Sequence, residues 1–200
     1  MTIYTIGHST IEKDIFIASL QKADINTVVD VRSMPYSKFS PQYNKDAIIE
    51  ILKPHRINYI FMGDNLGARN SNKDLQFEDG KVCFKKVQQS DKFKESVNRL
   101  IDGLNKGYRI ALMCTEKDAI DCHRFALVSE YLNSLGIDVK HIQYEKTENH
   151  SDVEQRLIEK YYKKIDFIGL STDKKPMEQA YELLNIDIAY SDANSAEENI

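Results

Sequence analysis

The densest chemistry in this chain lies in one short stretch, Cys114-Thr115-Glu116 followed by Cys122-His123-Arg124. Thiols become nucleophiles when ionised, and neighbouring His and Arg side chains at a helix start favour the thiolate. Glu116 and His123 could carry protons as general acid or base. Two other groups are of similar character. Gly7-His8-Ser9 places an imidazole beside a hydroxyl, and Asp30-Val31-Arg32-Ser33-Met34-Pro35-Tyr36-Ser37 sets a carboxylate two residues from a guanidinium.

Each candidate has a chemical and a structural reading. Arg32 and Arg124 could grip phosphate or carboxylate by paired hydrogen bonds, with Ser9 and Ser37 adding hydroxyls. Arg32 could instead pair with Asp30 or Glu116. Asp30 lies in an apolar run, where a carboxylate must be paired or shift its pKa. It could orient His8 or Arg32, act as a base, or bond loop N–H groups. Glu116 could move protons or simply hold an arginine. Cys114 closes an apolar strand, where cysteines are mostly packing residues. Cys122 opens a helix beside His123 and Arg124 and is the better nucleophile by surroundings. Cys114, Cys122, His123 and His8 could be combined into a zinc site, but the spacing is not that of a structural zinc module, so no metal and no cofactor is assigned. His8 follows a strand directly, where substrate could reach it. His141 reads as a satisfied core histidine, while His55 and His150 carry no signal.

These residues need elements to position them. Apolar β-rich runs predict strands at 3–6, 27–31, 58–62, 108–114 and 138–142. Helical spacing predicts helices at about 11–23 (capped by Ser9 or Thr10), 45–52 (capped by Asn44), 91–105 (ended by Gly107), 122–135 (capped by Asp121), 153–164 and 177–185. Strands alternating with helices predict a three-layer α/β fold, Rossmann-like, with a mostly parallel sheet and helices on both faces. Such sheets bind ligands at the carboxyl ends of their strands, where all three chemical groups fall. Residues 1–190 read as a single domain, with 63–90 a functional loop or small insertion and Gly63–Gly67 a turn. The acidic 191–200 tail reads as disordered.

Composition narrows the classes. At 200 residues, 42% hydrophobic and 29% charged, the chain is long enough for one domain with a real core. A net charge of -4 argues against a general electrostatic grip on nucleic acid. A local basic surface from Arg69, Lys73, Lys81, Lys85 and Lys86 stays open, as does a stacking wall from Tyr36, Phe39, Tyr43 and Tyr59. No apolar run reaches the roughly 18–20 residues of a membrane span. Three cysteines and no secretory pattern suit a reducing cytoplasm.

The sequence resembles the family catalogued as domain of unknown function 488. The resemblance rests on Thr5-Ile6-Gly7-His8-Ser9, Asp30-Val31-Arg32 with Pro35 and Ser37, Leu66-Gly67, Cys114 with Glu116, Cys122-His123-Arg124 and His141-Ile142. It implies that the three strand exits form one site and brings no established activity. A weaker likeness to rhodanese-type sulfurtransferases rests on Val29-Asp30-Val31-Arg32, a strand ending in Cys114, and Gly136-Ile137-Asp138-Val139. It supports topology, because the acidic loop after Cys114 differs from a tight anion-cradling loop and opposes a thiolate.

The leading reading is an enzyme, of hydrolase or transferase type, that binds a small anionic, phosphate-bearing ligand such as a nucleotide or nucleic-acid end. Arg32 and Arg124 would hold the anion while Glu116, Asp30, His8 or His123 move protons. A thiol-dependent sulfur-transfer or redox role for Cys114 and Cys122 is the second reading. A non-enzymatic nucleotide- or nucleic-acid-binding module is the third. Membrane partners are not expected, and the sequence leaves the oligomeric state open.

Overall fold

The computed structural model describes residues 1–169 and 174–191. Six strands form one sheet in the order β3-β2-β4-β1-β5-β6. They are β1 (Thr2–Gly7), β2 (Thr27–Asp30), β3 (Asn58–Phe61), β4 (Ile110–Cys114), β5 (Asp138–Gln143) and β6 (Lys146–Asn149). The first five run parallel, and β6 pairs antiparallel with β5 at the edge. The sequence reading had no β6, because Lys146-Thr147-Glu148-Asn149 has no apolar face to announce it. It is held through a tight reversal at Tyr144, whose φ is 55°.

Alternate residues of the strands feed two separate cores, which is the three-layer α/β fold. On one face Ile6, Val28, Ala111, Met113 and Ile142 pack against Phe16, Ile17 and Leu20 of α1 (Lys13–Lys22) and Ile48 and Leu52 of α2 (Lys45–Leu52). The opposite face presents Ile3, Val29, Leu112, Cys114 and Val139 to the remaining helices. These include α3 (Gly63–Leu66), α4 (Phe84–Gln89) and α5 (Asp91–Asn105). A π-helical turn, Arg124–Ser129, continues into α6 (Glu130–Ser134). Then come α7 (His150–Gly169) and α8 (Pro176–Ile188).

The 63–90 segment is mostly ordered rather than a plain loop. Gly63–Leu66 forms a helical turn, Gln76 pairs with Val82 in an isolated antiparallel bridge, and α4 follows. Val82 and Phe84 are core residues. Of the acidic tail, Ser191 is buried, and residues 192–200 lie outside the described residues. No helix among the described residues is long and apolar enough to cross a membrane.

The topology places the chemistry. The helices after β1 and β2 cover one face, while the helix after β4 covers the other. The carboxyl ends of β1, β4 and β2 are neighbours at this divergence, the position where open α/β sheets bind ligands. In register, Gly7 lies beside Cys114, and Asp30 lies beside Met113.

Candidate functional site

The three strand exits come together, but as two polar nests on opposite faces of the sheet edge. The first is built on Asp30. Its Oδ1 accepts from the backbone N (3.1 Å) and Nε (2.9 Å) of Arg32. Its Oδ2 accepts from Arg32 Nη2 (2.6 Å) and from the Tyr59 hydroxyl (2.7 Å). Arg32 Nη2 also reaches the carbonyl of Tyr43, and Nη1 donates to His8 Nε2 at 2.9 Å. His8 Nδ1 carries the ring's one N–H proton and gives it to Ser9 O, since a carbonyl can only accept. The imidazole stacks on the Tyr43 ring at 4.3 Å. Burial, then the Arg32 charge, pushes its pKa down to about 4, so it is neutral at pH 7.

His8, Asp30 and Arg32 are all buried, with exposures of 0%, 0% and 4%. The expectation that solvent reaches His8 therefore fails: the turn folds it inward against Tyr43. Ser9 takes part through its main chain. Its N donates to Thr115 O, and its carbonyl accepts from Ser40 Oγ as well as from His8. Ser9 has φ 47°, a left-handed conformation unusual for a side-chain-bearing residue, and α1 starts later with Glu12 at its N-cap position. Ser37 Oγ accepts from Phe39 N, and Ser37 N donates to Asn44 Oδ1. That last bond takes the Asn44 side chain away from capping α2. Of the aromatic group, Tyr43 and Tyr59 serve the Asp30 nest, while Tyr36 and Phe39 point outward.

The second nest holds the thiols. Glu116 Oε2 accepts from both, at 3.1 Å from Cys114 Sγ and 2.8 Å from Cys122 Sγ. His123 Nδ1 lies 3.6 Å from Cys114 Sγ and 3.9 Å from Cys122 Sγ. His123 Nε2 donates to the carbonyl of Val31, just past β2, which joins this nest to the first. These four donor atoms lie within 4.8 Å of one another, close enough to hold a metal ion. His8 is not among them. Both thiols are buried, whereas Glu116 lies at the exposed side of the group.

Arg124 lies beneath, fully buried. Nη1 donates to Glu116 O (2.6 Å) and Nη2 to Lys117 O (3.1 Å), while Nε has no partner. Glu116 does meet Arg124, then, but through its carbonyl rather than its carboxylate. Among the described residues Arg124 forms no salt bridge, and against the cost of its burial it is favoured by Cys122 first, then Cys114 and Glu116. Burial opposes a Cys122 thiolate, but hydrogen bonding from Cys114 and the charges of Arg124 and His123 outweigh it and hold Cys122 well below the ordinary range. Burial and the neighbouring Cys122 push Cys114 up. Burial and the same thiolate raise Glu116. His123 is raised despite its burial, mainly by Cys122. The pair thus yields its first proton readily and its second with difficulty.

The connection to Arg124 is unlike the predicted capped helix. Asp121 closes a short 3-10 turn, Ala119–Asp121, whose cap is Asp118 Oδ1 accepting from Ile120 N. The chain then enters the π-helical turn, a form often found at functional sites. Asp118 also accepts from Gln143 of β5 and pairs with Arg156 of α7, which fixes the 115–121 loop. Asp118 and Arg156 escaped the sequence reading because their pairing spans distant elements.

Gly7 lets these parts approach. A Cβ there would lie 1.7 Å from Glu116 O and 3.0 Å from Arg124 Nη2. Gly7→Ala is therefore expected to cost about 1–3 kcal/mol by overpacking. A urea midpoint unchanged from wild type would show that the Glu116 carbonyl is free to move.

The residues offered for nucleic-acid contact are largely tied down. Lys81 Nζ donates to Ile186 O, Lys85 pairs with Glu130, and Lys86 donates to Gln76 O. Arg69 lies over the Tyr190 ring. His141 is satisfied, as expected, between Thr5 and His150. His150, which the sequence did not flag, is buried and continues this chain to the Tyr181 hydroxyl and on to Glu154. The larger openings lie elsewhere: one of about 430 Å³ at the amino ends of β2–β4, another of about 580 Å³ beside residues 64–72. Neither is lined by the cysteines, so chemistry rather than volume marks the site.

A search of curated proteins and a search of solved structures each found no match. The family model described as Domain of unknown function DUF488 matches residues 13–132, which contain Asp30, Arg32, Cys114, Glu116 and Cys122-His123-Arg124 but not His8 or Ser9. That match spans more than half of the 200-residue chain, and the chain belongs to the DUF488 family.

Proposed function

We propose that this chain is an enzyme of thiol chemistry, working at the Cys114–Cys122–His123–Glu116 nest. The observation that carries this reading is the shared acceptor: one carboxylate oxygen, Glu116 Oε2, lies 2.8 and 3.1 Å from the two sulfurs. A carboxyl held there, with its pKa raised and its outer side toward solvent, is placed to take a proton from either thiol and pass it out.

The step that fits is attack on an electrophilic sulfur. The Cys122 thiolate forms a bond to one sulfur of a disulfide-bearing substrate, and that disulfide breaks. The leaving thiolate takes a proton from His123 or Glu116. Cys114, its proton drawn by Glu116, then attacks the mixed disulfide and releases the second thiolate. The substrate disulfide is reduced, and the cysteine pair is oxidised. Arg124 serves the pair as its counter-charge.

A phosphate-bearing substrate finds less support at this edge. The Arg32 guanidinium is spent on Asp30, Tyr43 and His8, and Arg124 is fully buried against main-chain carbonyls.

Cysteine-resolved mass spectrometry tests the thiol reading in metal-free protein under a mild oxidant or persulfide donor. Cys83 is 7% exposed, against 2% for Cys114 and 1% for Cys122, so exposure alone would put Cys83 first. The thiol reading expects Cys122 to be modified ahead of Cys83 and to end in a Cys114–Cys122 disulfide. Modification of Cys83 ahead of both would reject it.

A further inference from the structure

Four ligating atoms of three kinds, two thiol sulfurs, an imidazole nitrogen and a carboxylate oxygen, meet at the thiol nest. Cys114 Sγ, Cys122 Sγ, His123 Nδ1 and Glu116 Oε2 lie within 4.8 Å of one another at the junction of a strand, a loop and a helix start. A tetrahedral zinc ion with bonds of about 2.0–2.3 Å sets its ligands about 3.3–3.8 Å apart. Of the two sulfur–nitrogen separations, 3.6 Å falls within those edges and 3.9 Å lies just beyond them. The sulfur–oxygen separations of 2.8 and 3.1 Å are shorter than those edges, and a cation taking the place of the protons would lengthen them.

The surroundings suit a cation as well. His123 donates its Nε2 proton to Val31 O at 3.0 Å, which fixes the tautomer that leaves Nδ1 a lone pair. Metal-binding histidines are ordinarily held in this way. Two thiolates, a carboxylate and a divalent cation sum to one negative charge. Arg124, buried and with Cys122, Cys114 and Glu116 as its charge neighbours, neutralises it. Thiolate and imidazole ligands select soft or borderline ions over magnesium and calcium.

We propose that Cys114, Cys122 and His123, with Glu116 as the exchangeable fourth ligand on the solvent side, form a binding site for a zinc-class divalent cation. This rests on the reading that the same nest is the working centre, and it adds a control to that centre. Binding expels the thiol protons to solvent and occupies both sulfurs, so the metal-loaded chain is protected and the metal-free chain is reactive.

The test is a titration of the metal-stripped, reduced, full-length protein with Co²⁺. The site predicts sulfur-to-cobalt charge-transfer bands and intense visible bands of tetrahedral cobalt that saturate at one equivalent. Zn²⁺ should bleach them and protect Cys114 and Cys122 from alkylation. Cys114→Ser and Cys122→Ser should each lose the charge-transfer intensity of one sulfur, and Cys83→Ser should keep the full spectrum. Absence of thiolate bands in the wild-type protein, which needs no variant to fold, would overturn the site. So would bands that survive in the Cys114→Ser/Cys122→Ser double variant. If cobalt fails to bind while Cys122 remains the fastest thiol, the metal site falls and the thiol reading stands. If cobalt binds while the stripped protein favours Cys83, the metal site stands and the thiol reading falls.

Discussion

Asp30→Ala is expected to destabilise the protein by about 3–5 kcal/mol, because it strands a buried guanidinium. Asp30 receives three hydrogen bonds from Arg32 and one from Tyr59, and neither Asp30 nor Arg32 is in contact with bulk water. A surface ion pair would be worth far less, since water replaces the lost partner. Here the remaining acceptors of Arg32 are Tyr43 O and His8 Nε2, both neutral. The double variant Asp30→Ala/Arg32→Leu removes the stranded charge as well and should recover much of the loss, a coupling that a double-mutant cycle reads directly. Urea midpoints of the single and double variants check this. A single-variant loss below about 1 kcal/mol, on the scale of surface pairs, would mean that water reaches this nest.

Acidification from pH 7 to about 4.5 should remove several kcal/mol of stability. His8 and His150 both have pKa values of about 4 in the folded chain, lowered first by burial. In the unfolded chain they take protons near pH 6.5. Between those values the unfolded state binds more protons than the folded state, so stability falls as pH falls. Each histidine contributes about 1.4 kcal/mol per pH unit across that window, or about 3 kcal/mol over its width. His141, lowered by burial and by its His150 neighbour, acts in the same direction. His123 and Glu116 act oppositely, since their raised values favour proton uptake in the folded state. Urea midpoints across this pH range measure the sum. His150→Gln should flatten the slope by about 1.4 kcal/mol per pH unit. A slope left unchanged by His150→Gln would show that His150 does not take up its proton at the lowered value.

The sheet and most helices were legible because their patterns are local. Helix α5 was placed at its observed bounds: Phe93, Val97 and Leu100 repeat at helical spacing, the Ser90 hydroxyl caps its start, and Gly107 turns the chain with φ 86°. Continuous apolar runs marked β2 and β4 as strands covered on both faces, although β4 begins at Ile110 rather than Tyr108. What failed was decided by partners far away in sequence. Asn44 stands at the N-cap of α2 but spends its side chain on Ser37 N. His150 carries no local signal and gains meaning only between His141 and Tyr181. The π-helical turn that begins at Arg124 has no propensity signature, and it buries all six of its residues.

The candidate site was legible in its location more than in its wiring. Spacing put Cys114, Glu116 and Cys122 at a strand exit, and the parallel sheet made that exit the place to look. Residue types could not tell which group of each side chain does the bonding. Glu116 was weighed as an arginine partner, and it is one through its carbonyl, while its carboxylate is turned to the sulfurs. An acidic loop after Cys114 argued against a thiolate. That holds for Cys114, which burial, Cys122 and Glu116 push up, while Cys122 is held down with the help of Arg124 and His123, the neighbours its place in the sequence singles out.

The central claim is that this nest ionises one thiol of the pair ahead of the other. Ultraviolet thiolate absorbance of the metal-free protein, followed against pH, measures it directly. The geometry predicts one thiolate forming well below the ordinary cysteine value of about 8.5, lost in Cys122→Ser and retained in Cys83→Ser. A single joint titration of all three thiols near that ordinary value would contradict it.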